Sequence, residues 1–371
     1  MKTGQAGNKR SIALVVGTRP EAIKMAPVYR ALLRSSTLAP VLISSGQHRE
    51  LLQSAFEPLG LVPDFDLDVM TPGQTSSEVL SRVVDGAAKL LASLKPAALL
   101  VQGDTTTVHA AALAGYFARI PVGHVEAGLR TYDHENPFPE EGNRQMVDRI
   151  SEWCFVPTQR SKENLLSERI AEERIFVTGN TAVDSILWAI NRSDYTCEPN
   201  TLLVTLHRQE SFGEPLREIL LGICDFLDAN PDVKALWPVH PNPRVQEAID
   251  SLGTRAKSFE CVAPMDYLTF SGALGTCRLV VTDSGGIQEE APSLGKRVLI
   301  TREQTERPEA LAANMNVLVE RKRESVSRAL QLAWGAAAYE GALPAANPYG
   351  DGRSGEKITA LLEAALTQKT G

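Results

Sequence analysis

The sequence predicts an α/β protein built from two doubly wound, Rossmann-like domains. Its 371 residues exceed what one hydrophobic core usually supports, so two domains are expected. In both halves, short apolar runs alternate with longer segments whose apolar residues recur at helical spacing. The short runs are apolar almost throughout, which is typical of parallel strands that are buried on both faces.

The first half shows this alternation in five strands and five helices. The predicted strands cover residues 11–17, 41–45, 97–102, 121–125 and 154–156. The predicted helices cover residues 20–35, 49–60, 76–95, 106–118 and 140–151. Pro20 favours a helix start because proline is tolerated in the first turn, and Pro27 predicts a bend in the same helix.

The same rhythm resumes after Gly179 in the second half. The predicted strands cover residues 202–206, 235–239, 259–262, 279–282 and 298–301. The predicted helices cover residues 215–229, 243–252 and 326–338. An amphipathic segment over residues 355–366 follows a turn-rich stretch and predicts a last helix.

These elements predict where the domains begin and end. We expect a flexible extension over residues 1–10, an N-terminal Rossmann-like domain over 11–178 and a C-terminal one over 179–352. The last helix, within residues 353–371, is expected to pack back onto the first domain. Because doubly wound sheets bind ligands beyond the carboxyl ends of their strands, we expect the ligand in a cleft between the two domains.

Composition argues against nucleic-acid and membrane partners and indicates a cellular compartment. A formal net charge of -7 argues against a general nucleic-acid-binding protein. The five cysteines form no CxxC pair, which fits the reducing cytoplasm. The apolar run Ile12–Val16 is too short for a signal peptide or a membrane span, so we expect no membrane partner.

The stretch Thr282–Gly295 predicts a phosphate site. Ser284, Gly285 and Gly286 lie where a strand turns into a helix, so their N–H groups and the helix dipole favour an anion. Glu290 follows within the same helix, where a carboxylate can reach a sugar hydroxyl. A tight turn with a solvated acidic face is the alternative interpretation.

Basic residues follow several predicted strands. Arg19 and Lys24 lie near the start of the first helix, where cations oppose the helix dipole unless they share an anion. An exposed turn with surface charges is the alternative. In the second half, the basic side chains at strand ends are His207, Arg208, His240 and Arg307. Their recurrence at successive strand ends favours a diphosphate pocket.

Carboxylates gather at the strand ends of the first half. Asp104 follows one strand, and an N-cap for the next helix is the alternative interpretation. His124 and Glu126 close another strand with both side chains on one face, either as a metal pair or with His124 as a hydrogen-bonded core residue. No third ligand lies at a recognisable spacing, which disfavours a metal. Glu140 opens a helix, where favourable interaction with the dipole is the alternative to a catalytic role.

Nine runs closely resemble the non-hydrolysing UDP-N-acetylglucosamine 2-epimerases. They are GTRPEAIKMAPV, SGQHRE, QGDTTTV, GHVEAGLRT, PFPEEGNRQ, TGNTAVD, PVHPNP, TDSGGIQEEAPSLG and TERPEA. The resemblance extends in order over roughly residues 11–366. It implies that the two domains have the arrangement of the GT-B glycosyltransferases, with UDP bound by the C-terminal domain.

The resemblance also implies an activity. It implies reversible C2 epimerisation of UDP-N-acetylglucosamine (UDP-GlcNAc) to UDP-N-acetylmannosamine (UDP-ManNAc), by elimination and re-addition of UDP through 2-acetamidoglucal. The enzyme implied is a cytoplasmic homodimer that needs neither NAD nor a metal. It would supply ManNAc units for cell-surface polysaccharide.

Roles for individual residues follow from the same resemblance. The expected catalytic residues are Asp104, Glu126, Glu140 and His207. The expected substrate-binding residues are Arg19, Lys24, Phe270, Ser284, Gly285, Gly286, Glu290 and Arg307. A possible activator site for a second UDP-GlcNAc comprises Gln47, His48, Arg208 and His240. Glu50 and Gly73 replace a glutamine and an arginine of regulated relatives, and Met265 replaces a glutamine near the uracil.

Other functions stay open at this point. A GT-B glycosyltransferase shares the fold and the nucleotide site but needs an acceptor site. A hydrolysing 2-epimerase releases free ManNAc. A non-catalytic nucleotide-sugar sensor has no use for three candidate carboxylates. An epimerase for a C6-oxidised or 3-amino UDP-sugar is a further alternative, because these motifs do not specify the sugar ring.

Overall fold

The computed structural model describes residues 9–46, 56–71, 73–208, 211–240, 242–251, 257–335 and 347–368. The chain divides into two compact units. The first unit comprises residues 1–185 and 349–371, and the second comprises residues 186–348. Within the described ranges, no helix is long and apolar enough to cross a membrane.

The first unit contains one parallel sheet. Its strands are β1 (Arg10–Val16), β2 (Leu38–Ser44), β3 (Phe65–Asp66), β4 (Ala98–Gln102), β5 (Val122–Val125), β6 (Trp153–Val156) and β7 (Ile175–Val177). Their order across the sheet is β3-β2-β1-β4-β5-β6-β7. Successive strands are added to one side of β1 up to β3 and to its other side from β4 onward, so the switch point, where doubly wound sheets bind ligands, lies between β1 and β4.

The helices of the first unit connect these strands. They are α1 (Arg19–Arg34), α2 (Ser76–Leu94), α3 (Thr106–Phe117), α4 (Glu140–Ile150), α5 (Gln159–Ser167) and α6 (Thr181–Ile190). Thr18 is the N-cap of α1 and Thr105 is the N-cap of α3, so a hydroxyl accepts a backbone N–H at the start of each helix. Both caps lie at the switch point.

The edges of the first unit differ from the predicted boundaries. Arg10 belongs to β1 and not to the predicted extension, because its N–H donates to Thr37 and its guanidinium to the Leu366 carbonyl. Residues 1–8 of that extension lie outside the described residues. The first unit ends at Ser185, which lies within α6. The Ser185 hydroxyl belongs with this unit because it donates to the carbonyl of Ile23 at 2.6 Å.

The second unit repeats the architecture. Its strands are β8 (Thr201–Thr205), β9 (Lys234–Pro238), β10 (Phe259–Val262), β11 (Leu279–Thr282), β12 (Val298–Ile300) and β13 (Asn316–Leu318). All neighbouring pairs are parallel, in the order β10-β9-β8-β11-β12-β13. This is the strand order of dinucleotide-binding Rossmann folds, with the switch point between β8 and β11.

Helices cover both faces of the second sheet. They are α7 (Glu214–Ala229), α8 (Pro243–Ser251), α9 (Tyr267–Thr276), α10 (Gly285–Glu290), α11 (Pro308–Ala312) and α12 (Arg323–Gly335). Alternate residues of one strand enter different cores: Leu202 and Val204 pack with α7, whereas Leu203 packs with α9. The predicted fold class of two Rossmann-like domains is thus confirmed.

The C-terminal helix, α13 (Ser354–Gln368), belongs to the first unit. It lies against α1, where a Cβ atom on Gly355 would come within 2.7 Å of the Pro27 carbonyl. The Gly355 N–H also donates to Asp184 at 2.8 Å. Glycine is therefore required for this close approach of the two backbones.

Candidate active site

Two turns meet at the switch point of the first unit. One follows β1 and carries Arg19, and the other follows β4 and carries Asp104. A Cβ atom on Gly17 would lie 2.7 Å from the hydroxyl oxygens of Ser45 and Thr107. Only glycine allows this contact, so the first turn is packed directly against α3.

Glu126 lies in a buried cluster of donors just after β5. Its backbone is left-handed, with φ of 69°, and the residue is 8% exposed. Its carboxylate accepts from the Lys24 ammonium at 2.5 Å, from Asn180 at 3.3 Å and from the amide of Gln102. Three donors, one of them charged, therefore fix the orientation of this carboxylate.

Asp104 forms an ion pair with a different cation. The Arg144 guanidinium donates to its Oδ2 at 2.5 Å, and Asn143 donates to its backbone carbonyl at 2.9 Å. The Asp104 side chain is 28% exposed. The alternative reading of Asp104 as a helix N-cap is wrong, because the Thr105 hydroxyl accepts from Val108 and caps α3.

Glu140 is the first residue of α4 and is half-buried. Its neighbour Glu141 is fully buried and accepts from the N–H groups of Thr131 and Tyr132, both at 3.1 Å. Burial raises the pKa of Glu141, but these hydrogen bonds, Gln145 and the Arg144 charge together lower it below its usual value. Glu141 therefore anchors the preceding loop to the helix that begins at Glu140.

His124 is a core residue, as one of its two sequence interpretations proposed. Its Nδ1 lies 2.6 Å from Asp148, and its Nε2 lies 2.8 Å from the carbonyl of Gly103. The side chain is completely buried. In the part of the chain that the structure describes, no group of three His, Cys, Asp or Glu side chains is arranged to hold a metal ion.

Glu21 is a buried carboxyl that the sequence analysis did not single out. It is 2% exposed and accepts from the N–H of Gly17 at 2.6 Å and from the hydroxyl of Thr105 at 2.8 Å. Burial, with a smaller contribution from the charge of Asp104, raises the pKa of Glu21 to about 7 despite these hydrogen bonds. The sequence Thr18-Arg-Pro-Glu21 matches a helix capping box, which predicts a local role for Glu21 and gives no sign of its contact with Thr105.

His207 and Arg208 follow β8 at the switch point of the second unit. Asp283, which is fully buried after β11, accepts from the N–H of Arg208 at 3.0 Å and from that of His207. The His207 ring stacks on His240, with the ring centroids 5.6 Å apart. Burial lowers the pKa of His207, and Arg208 adds to this against the opposing effect of Asp283, so the neutral imidazole is favoured. Asp283 was not predicted as a site residue, because its hydrogen bonds reach the turn that follows a neighbouring strand.

The serine–glycine turn lies beside Arg307. Ser284 is the N-cap of α10, and a Cβ atom on Gly285 would lie 2.8 Å from the Arg307 guanidinium. Arg307 is 8% exposed and donates to the carboxylates of Glu289 and Glu306. Burial opposes ionisation of Glu306, but the charges of Arg307 and Arg302 hold its pKa well below its usual value. Ion pairs therefore hold the Arg307 guanidinium in place beside the serine–glycine turn.

The remaining predicted residues are distributed as follows. Glu290 is 7% exposed and accepts from the Tyr267 hydroxyl at 3.0 Å, while Phe270, a residue of α9, is partly buried against the adjacent core. Gly286 has open space where a Cβ atom would lie. Gln47 and His48 lie outside the described residues.

Two Rossmann-like sheets with charged groups at both switch points define a nucleotide-binding class of protein. The profile of the UDP-N-acetylglucosamine 2-epimerase family matches residues 30–363. A UDP-N-acetylglucosamine 2-epimerase of Salmonella typhimurium is 42% identical over 369 residues, covering 95% of this chain and 98% of the relative.

Solved structures give the same result. A crystal structure of UDP-GlcNAc 2-epimerase from Neisseria meningitidis bound to UDP-GlcNAc has a TM-score of 0.90 and 38% identity, and covers 95% of this chain and 100% of that chain. The enzyme of Methanocaldococcus jannaschii in complex with UDP-GlcNAc and UDP has a TM-score of 0.81 and 33% identity, covering 95% and 99%. The chain belongs to the UDP-N-acetylglucosamine 2-epimerase family.

Proposed function

We propose that this protein interconverts UDP-GlcNAc and UDP-ManNAc by eliminating and re-adding UDP. The observation that carries the proposal is the buried Glu126 cluster beside Asp104, in a chain of this family. Inverting C2 requires removal of a hydrogen that is scarcely acidic in the substrate. Cleavage of the C1–O bond first places positive charge at C1 and makes that hydrogen acidic.

The second unit supplies the groups for the leaving diphosphate. When the C1–O bond breaks, its electron pair departs with UDP, and negative charge grows on the diphosphate. Backbone N–H groups at Ser284, Gly285 and Gly286 and the guanidinium of Arg307 are suited to stabilise that charge. A neutral His207 is suited to donate a hydrogen bond without adding a further charge.

The first unit supplies the groups for proton transfer. One carboxylate takes the C2 proton to give 2-acetamidoglucal, and a second, protonated carboxyl delivers a proton to the opposite face of C2 before UDP adds back. Glu126 is buried with Lys24, whereas Asp104 is partly exposed with Arg144. The two carboxyls thus differ in cation partner and in exposure, and we propose that one serves as the acid and the other as the base. Glu140 is the third candidate.

The proposed reaction needs no cofactor, and it suggests a role for the enzyme in the cell. Every step moves a proton or an electron pair and the product is an isomer of the substrate, so the chemistry balances without NAD and without a metal. We place the enzyme in the cytoplasm as a homodimer, where it supplies ManNAc units for cell-surface polysaccharide. Analytical ultracentrifugation of the purified chain tests the dimer.

Incubation with UDP-GlcNAc in heavy water, followed by NMR, tests the proposed reaction. Deuterium at C2 together with UDP-ManNAc is the expected result. Release of free ManNAc would instead identify a hydrolysing epimerase. Absence of C2 exchange would favour a glycosyltransferase or a nucleotide-sugar sensor.

A further inference from the structure

The N-caps of two helices in the first unit are joined by a single side chain. Thr18 caps α1 and Thr105 caps α3. The Oε1 atom of Glu21 accepts from both hydroxyls, at 2.9 Å from Thr18 and 2.8 Å from Thr105. Its Oε2 atom accepts from the N–H of Gly17 at 2.6 Å. One carboxyl group thus holds the turn after β1 to the turn after β4.

The neighbours of these caps are two candidate site residues. Arg19 directly follows Thr18, and Asp104 directly precedes Thr105. A displacement of either cap therefore moves a residue that the proposed function uses. The first turn has no room to relax inward, because Gly17 is already packed against the Thr107 side chain.

Burial makes this junction costly to break. Glu21 is 2% exposed, so its removal leaves one N–H and two hydroxyl donors without their acceptor in a buried place. The Asp104 charge contributes to the raised pKa of Glu21, which indicates that the two carboxyls interact electrostatically. The capping-box pattern accounts for the Glu21 N–H that donates to Thr18, but not for the hydrogen bonds of the Glu21 carboxylate to Gly17 and Thr105.

We propose that Glu21 is a positioning residue for the epimerisation, fixing Arg19 and Asp104 relative to each other by joining the N-caps of α1 and α3. The proposal rests on the acid–base role of Asp104 in the proposed function. Glu21 acts through these neighbours and takes no part in proton transfer to the sugar.

A double-mutant cycle with Asp104 tests this role. The rate of deuterium incorporation at C2 of UDP-GlcNAc in heavy water is measured for the wild type, Glu21→Ala, Asp104→Asn and the double variant. We expect Glu21→Ala to lower the rate by about ten- to a hundredfold, the loss that follows from small misplacement of a reacting group. The loss in the double variant should be smaller than the product of the two single losses, since part of the effect of Glu21 passes through Asp104.

Conservative variants separate positioning from folding. Glu21→Gln keeps the shape and one carbonyl acceptor and should restore part of the rate lost in Glu21→Ala. Thr105→Val removes both the hydrogen bond to Glu21 and the N-cap of α3, and Thr105→Ser, which keeps the hydroxyl for both, should be the faster of the two. Glu173→Gln on the exposed surface is the matched carboxylate control and should be unchanged. Circular dichroism verifies that each variant is folded.

The outcomes distinguish this inference from the proposed function. Slow exchange in Asp104→Asn with normal exchange in Glu21→Ala or in Thr105→Val would overturn the positioning role alone. Multiplicative losses in the double variant would also overturn it, because Glu21 would then act independently of Asp104. Equal losses in Glu21→Gln and Glu21→Ala would point to proton transfer by Glu21. Normal exchange in Asp104→Asn would overturn the acid–base proposal and this inference with it.

Discussion

At the scale of single residues, the surroundings of each carboxyl separate its function from that of its neighbours. Glu126 accepts from a lysine and two amides, Asp104 is partly exposed and paired with Arg144, and Glu141 accepts from two backbone N–H groups. All three read alike in the sequence. Their partners come from distant parts of the chain, so the division of roles became visible only in the fold.

Glu126→Gln removes the charge of the most enclosed of these carboxyls while keeping its shape. We expect the rate of C2 deuterium exchange to fall by about two to four decades, as is typical when a general acid or base is lost. UDP affinity, measured by calorimetry, should change little because the proposed diphosphate ligands lie in the second unit. Exchange close to the wild-type rate would remove Glu126 from the mechanism.

Glu21 also makes the stability of the protein depend on pH. Its pKa is raised from 4.5 to about 7 in the fold, so folding takes up a proton between these values. The contribution of Glu21 to the free energy of unfolding is therefore fully present below pH 4.5 and is lost, by about 3 kcal/mol, as pH rises through 7.

Melting temperatures at pH 5 and pH 7.5 measure this effect. Glu21→Gln has no proton to lose, so the fall in melting temperature across this interval should be smaller than in the wild type. Glu173→Gln, which changes an exposed carboxylate, is the control and should follow the wild type. An identical pH dependence in wild type and Glu21→Gln would contradict the raised pKa.

At the scale of elements, long apolar strands and strongly periodic helices were predictable from the sequence. Predicted and observed bounds agree within a few residues for elements such as α7, β10 and β11. The elements that were missed have weak local patterns. β13 has three residues, two of them exposed, and α9 is apolar on nearly every side. Such elements form because a neighbouring sheet edge or core holds them, which sequence periodicity does not record.

Two helical glycines should respond to alanine in opposite directions. A Cβ atom on Gly222 of α7 would lie 2.5 Å from the carbonyl of Arg323, where α12 begins. Gly222→Ala should therefore destabilise the second unit by about 1 to 3 kcal/mol through overpacking. Gly86→Ala in α2 meets only ordinary contacts at 3.6 Å, so it should stabilise its helix by about 0.5 to 1 kcal/mol.

Urea unfolding of the two variants provides the measurement for this pair. Each variant serves as the control for the other, because both add one methyl group to a helix. Equal destabilisation by both substitutions would contradict the proposed tight contact between α7 and α12.

At the scale of the whole molecule, nine sequence motifs predicted the family, and the comparisons confirm it. Arg19, Lys24, Asp104 and Glu126 do gather at the first switch point, and His207 and Arg307 lie with the serine–glycine turn in the second unit. Glu21 and Asp283 were not predicted. Each looks like an ordinary helix or strand terminus in sequence, and each acts through hydrogen bonds to a neighbouring turn.

UDP alone should protect one unit and not the other. We expect slower hydrogen exchange in peptides that cover residues 282–290 and 305–309, because the proposed diphosphate ligands lie there. Peptides from residues 98–126 should change much less. The protection should weaken in Arg307→Ala at the same UDP concentration. Protection confined to the first unit would contradict the assignment of UDP to the second.

The hydrogen bonds of Asp283 restrict which substitutions this enzyme can accept. Its carboxylate accepts hydrogen bonds from the backbone N–H groups of His207 and Arg208, and it is fully buried. Asparagine keeps one acceptor oxygen but replaces the other with an NH2 group that cannot accept, and a longer side chain has no solvent-exposed space to occupy at this fully buried position. Mutant libraries that aim at a new sugar nucleotide should therefore vary other positions and keep Asp283 constant.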